Sequence, residues 1–146
     1  MQKLESQPSI EFKCMHPFYD GLRENNFNIG YYNAWKKGLT GYPFIDADNG
    51  GTLDGLVAFC EGVLAVINEE TVVVPGHGAT ASTADLARYT RDLATIRDRL
   101  AVHVKNGLDL DEIVDIKPTS DFDETYGDNM QFINRAVKSL TYRYHH

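Results

Sequence analysis

The chain has 146 residues, 42% of them hydrophobic, which suits one domain burying about two-thirds of its unfolded surface. Its 21 acidic residues against 14 basic ones give a formal charge of -7, which argues against nucleic acid or an anionic membrane surface as the main partner. Cys14 and Cys60 are far apart and form no Cys-x-x-Cys pair, so a disulfide framework or a thiolate zinc site is not expected.

The first forty residues give the weakest pattern. Ile10 to Met15 alternates like a half-buried strand and His16-Pro17 ends it, while Phe27 to Tyr32 reads as a second strand. Tyr31, Tyr32 and Trp35 are too apolar in bulk for a disordered tail. Met1 to Glu5 lacks the apolar core of a signal peptide, and no apolar run approaches the roughly 20 residues of a membrane span. A cytoplasmic protein with no membrane partner is expected.

From Gly41 the signals sharpen. Tyr42-Pro43-Phe44-Ile45-Asp46 leads into the turn cluster Asp48-Asn49-Gly50-Gly51, and Thr52 is placed to cap a helix. Leu53, Leu56, Val57, Cys60, Val63, Leu64 and Ile67 recur at three- and four-residue steps, predicting an inward-facing helix over about 53–67. Thr71-Val72-Val73-Val74 then reads as a strand without alternation, the pattern of one buried on both faces, and Pro75 stops it.

Ser82 and Asp85 form a capping box opening a long helix, with Leu86, Tyr89, Leu93, Ile96, Leu100 and Val104 as its apolar stripe and Gly107 as its stop. Arg88, Arg91, Asp92, Arg97, Asp98 and Arg99 fall off the stripe and read as a solvated face. Asp109 to Glu112 repeats the capping logic for a short helix ending before Pro118. Residues 118–128 read as a polar loop, and a final helix over about 129–142 aligns Ile133, Val137 and Leu140. His145-His146 follows that helix and is set aside from site reasoning.

The run Tyr42 to Asp46 with Asn49-Gly50-Gly51-Thr52-Leu53-Asp54-Gly55, then Thr71-Val72-Val73-Val74-Pro75-Gly76-His77-Gly78, then the long helix and the turn from Asp109 to Ile113, resembles the C-terminal half of a metallo-β-lactamase-fold hydrolase. The likeness spans about 41–140. It implies an α/β fold, half of an αββα sandwich, with a small sheet covered by helices about 53–67, 83–105, 109–115 and 129–142. Residues 1–146 form one domain on this reading, with 1–40 a divergent N-terminal segment and 41–146 the metallo-β-lactamase-like half.

The resemblance also makes His77 the candidate metal ligand. The chain departs from the family in lacking its His-x-His-x-Asp-His cluster; upstream of Gly41 there is only His16, and Asn33 to Thr40 holds no acid where a bridging aspartate is expected. Catalytic zinc takes about three protein ligands plus a water. Asp46 and Asp48 are the nearest stand-ins, and His103 reads as a partly exposed helical histidine. The expectation is therefore a catalytically incomplete binding or assembly module without a cofactor, pairing as a homodimer through its uncovered sheet face. The alternative is a zinc-type or other divalent-metal hydrolase that completes its site from His16, Asp46, Asp48 or a partner subunit. A small-ligand pocket rimmed by Tyr31, Tyr32, Trp35 and His77 is the third reading.

Overall fold

The computed structural model describes residues 38–75 and 78–145. The strands expected at 10–15 and 27–32, together with Cys14, lie outside the described residues. After a 3-10 turn at Gly38–Thr40 and another at Ala47–Asn49 come helix α1 (Leu53–Leu64), strands β1 (Val72–Val73) and β2 (Ala81–Ser82), and helices α2 (Thr83–Lys105), α3 (Leu110–Ile116), α4 (Asp123–Tyr126) and α5 (Met130–His145).

The local signals for the helix starts are met atom by atom. The Thr52 side chain accepts from Gly55 N at 2.9 Å. Ser82 Oγ accepts from Asp85 N at 3.1 Å while Asp85 Oδ2 accepts from Ser82 N at 2.9 Å, closing the predicted box at the head of α2. Asp109 and Glu112 close a second box at the head of α3, each bond 2.9 Å. At the other end of α2, Gly107 turns at φ 79, a conformation that favours glycine. Lys117 takes the left-handed φ 55 between α3 and Pro118, which ends the right-handed helix before the proline.

The core is built by helices. Helix α2 packs against α1 on one side and α5 on the other, and α3 rests on α5. Leu53, Val57, Leu93, Ile96, Leu100, Ile113, Ile133 and Leu140 are buried in one cluster. A smaller cluster of Cys60, Val63 and Leu86 gathers Leu39, Phe59, Ile67 and Val73 around it, with Cys60 buried as a thiol.

The half-sandwich expectation is overturned. Among the described residues the sheet is one antiparallel pair, Val72 opposite Ser82 and Val73 opposite Ala81. Val72 is 66% exposed and Val74 67%, so the valine run is not buried on both faces. Only Val73 reaches the interior, because the helices fill the core without a sheet. An unbroken run of valines is compatible with burial on both faces but says nothing about whether other elements supply the cover.

Two element limits also change. Helix α1 ends at Leu64 and not near 67, where Val66 N turns back to Val63 O at 3.0 Å. The expected polar loop at 118–128 contains α4, with Thr119 and Tyr126 buried.

Candidate functional site

His77, His16, Tyr31, Tyr32 and Trp35, which carried the metal and ligand-pocket expectations, lie outside the described residues. Asp46 and Asp48 are described, and both are engaged within the turn that leads to α1. The Asp46 carbonyl accepts from Gly51 N at 2.8 Å and its carboxylate from Asn49 Nδ2 at 2.8 Å. This is the ordinary work of an aspartate in a turn.

Asp48 is held by two cations of α5, Lys138 on Oδ1 and Arg135 on Oδ2 at 3.2 Å. The Lys138 hydrogen bond, followed by its charge, keeps the Asp48 carboxyl below the usual carboxylate range. Both of its oxygens are thus occupied by α5. Arg135 lies over the Phe44 ring at 4.0 Å and also donates to Ile45 O, so this contact clamps the 42–51 turn onto α5. His103 is half-buried on α2 as expected. Among the described residues no three His, Cys, Asp or Glu side chains gather where a metal ion could be held.

A second constellation was not anticipated. The Tyr42 hydroxyl donates to Asp123 Oδ1 at 2.7 Å, and Asn129 Nδ2 bridges Asp123 Oδ2 and Thr119 Oγ1, each at 2.8 Å. Tyr126 donates to Asp92 Oδ2 at 2.6 Å and accepts from Arg88. Burial first, then the bonds to Asp123 and Asp92, push both tyrosine hydroxyls well above their ordinary value. Each ring also packs on aromatic neighbours: Tyr42 stacks on Phe132 at 4.7 Å and Tyr89 meets Tyr126 edge-on at 5.6 Å. No buried side-chain polar atom among the described residues lacks a partner. The network is closed on itself, so its chemistry is that of a lock holding α4 against α2 and the Tyr42 segment.

Among the described residues, exposed aliphatic surface lies elsewhere, at β1 and just past the end of α1. From Gly38 to Ala87 the sequence carries seven acidic residues and no lysine or arginine. Asp48 and Asp54 borrow cations from other helices, Asp54 from Arg143 at 2.7 Å and Arg97 at 3.8 Å. Asp46 and Asp85 are spent on turn and cap. Glu61, Glu69 and Glu70 are exposed, and none forms an ion pair with a described residue. Glu61 sits toward the C-terminal end of α1, whose last turn has no basic residue to meet the partial negative charge of the helix end.

Glu69 and Glu70 are fixed at the start of β1 by a turn in which Asn68 Oδ1 accepts from Glu70 N at 3.0 Å and Thr83 Oγ1 donates to Asn68 O at 2.6 Å. Beside these acids stand Val66, Val72 and Val74, 62%, 66% and 67% exposed. Comparison with protein-family models, curated proteins and solved structures yields no match to the chain. The site therefore has to be judged on its own geometry.

The signal that could have found this face is the fifty-residue stretch without a base, which needs only counting. A second charged surface, the shallow groove lined by Asp54, Arg97, Asp98, Ala101, Arg143 and Tyr144, is internally neutralised by its own ion pairs. No helix among the described residues is long and apolar enough to cross a membrane.

Proposed function

We propose that the chain is a binding or assembly module, related to metallo-β-lactamase-fold hydrolases through the motifs of 41–140 and not itself a hydrolase. The observation that carries this reading is the exposure of Val66, Val72 and Val74, just past α1 and in and after β1, while Val73 between the latter two packs on the Cys60–Val63–Leu86 cluster. Large aliphatic side chains left in water close together in the sequence mark a candidate interaction site. The two described carboxylates offered as stand-in ligands support it as well, since Asp46 serves the turn and Asp48 is held by α5.

The test is made on the full purified chain. An apolar-surface dye should bind and brighten, and the double variant Val72→Thr, Val74→Thr should lose most of that signal with an unchanged circular dichroism spectrum. Metal analysis after purification without chelator should find well under one equivalent. Near-stoichiometric zinc, manganese or iron that disappears in His77→Ala would overturn the reading in favour of a metal-dependent hydrolase. Light scattering completes the picture: a mass of twice 16.4 kDa makes the module a homodimer, and 16.4 kDa leaves the face open to a different molecule.

A further inference from the structure

We infer that the open side of β1 is completed by an extended segment of another protein in which aliphatic residues alternate with lysine or arginine. This rests on the binding-module reading and names the partner's chemistry.

Three features of one surface converge. First, β1 is bonded to β2 along one edge, and among the described residues its other edge has no strand. A hairpin of two-residue strands is marginal by itself, and an unpaired edge is a template for an added strand. Second, the side chains alternate as such a partner requires: Val73 turns inward to the small cluster, while Val72 and Val74 stand out in solvent on the opposite face. Pro75 has no N–H to offer, so the ladder stops after Val74 and the added strand is short.

The third feature is charge. Glu69 and Glu70 lead directly into β1, and they and Glu61 of the last turn of α1 are exposed without a described cation, in a stretch from Gly38 to Ala87 with seven acids and no lysine or arginine. Anionic side chains flanking an apolar strip favour a cationic, apolar ligand and repel an anionic one. A second copy of this chain would bring the same uncompensated acids and a formal charge of -7 to the contact. That repulsion favours a different, basic partner.

The experiment titrates the full chain into a fluorescently labelled synthetic peptide of about ten residues alternating lysine and valine, read by anisotropy. Saturable binding is expected, weakening about tenfold or more between low salt and about 0.5 M salt. The triple variant Glu61→Gln, Glu69→Gln, Glu70→Gln should weaken it by about tenfold at low salt, and Val72→Thr with Val74→Thr by a comparable factor. Equal binding of a glutamate–valine peptide, indifference to the triple variant, or no binding at all would overturn the proposal. A concentration-dependent dimer abolished by Val72→Thr with Val74→Thr would also overturn it, by giving the face to a second copy. If the peptide fails while the dye still reports the valine face, the basic partner falls and the module reading stands. If the dye signal is absent and stoichiometric metal is present, the module reading itself falls.

Discussion

The two sides of α2 are finished to different degrees. Toward α5, α3 and α4 the helix meets a continuous interior in which Leu93, Ile96, Leu100, Ile113, Ile133 and Leu140 are fully or almost fully buried, and no buried polar side-chain atom among the described residues lacks a partner. Toward β1 and the end of α1 it meets a small cluster capped by one half-buried valine, with Val66, Val72 and Val74 left in water. Charge follows the same division. Acids that contact α2 and α5 are matched by arginine or lysine, while Glu61, Glu69 and Glu70 are not matched by any described residue. Among the described residues the first side is closed, and the second leaves aliphatic side chains exposed.

Truncating each side should expose the contrast most strongly. Leu93→Ala empties a fully buried position between α1, α2 and α5 and should cost about 3 to 5 kcal/mol in a denaturant titration. Val73→Ala, in the satellite cluster, should cost about 1 kcal/mol, because its surroundings already reach solvent. Equal losses would mean that the hairpin is as much a part of the core as α2.

Backbone packing under the 42–51 turn comes next in size. A Cβ on Gly51 would lie 2.8 Å from the Asp46 carbonyl oxygen and 3.1 Å from its carbon, with backbone and not a yielding side chain in the way. Gly51→Ala should therefore destabilise by about 1 to 3 kcal/mol. The loss should appear as a lower midpoint at an unchanged denaturant slope. A neutral result would show that the turn can move off α5, and with it the Asp48 clamp.

What the sequence revealed follows from how local each determinant is. Helix α2 was legible to the residue, 83–105, because its cap, stripe and glycine stop all lie within the helix and its two flanks. Helices α3 and α5 were placed within one to three residues for the same reason. The sheet was misread because the pattern of Val72 to Val74 fits a covered strand, and cover comes from elements elsewhere in the chain. Helix α4 was missed because Phe122 and Tyr126 sit in a polar stretch and are anchored by Tyr42, Asp92 and Arg99, which are distant in sequence. The acidic, aliphatic face was countable in advance, but its openness was not, since that depends on which cations of α2 and α5 reach the acids of the first half.

The tyrosine lock gives a smaller effect on the well-packed side. Tyr42→Phe removes the donor to Asp123 and leaves that carboxylate with Asn129 alone, at a cost of about 1 to 2 kcal/mol. Its pH dependence has a definite sign. Both Tyr42 and Tyr126 are raised above the ordinary 10.0, so the folded chain holds protons that the unfolded chain gives up. The stabilisation is complete below pH 10 and is lost as pH rises beyond it. Stability measured from pH 9 to pH 11 should fall, and fall less steeply in Tyr42→Phe. A pH-independent midpoint over that range would show that the hydroxyls are open to water.

The smallest expected change in stability separates the two sides most cleanly. Val72 and Val74 are 66% and 67% exposed, so replacing each with threonine keeps the β-branch and removes little burial. The cost should be about 0.5 kcal/mol or less apiece, the range of an ordinary surface substitution. Among the described residues nothing buries these two side chains, which is why so small a cost is expected. A loss above about 2 kcal/mol for the pair would place these valines in a folded interior and erase the distinction between the two sides. A negligible loss combined with a lost dye or peptide signal would assign them to recognition.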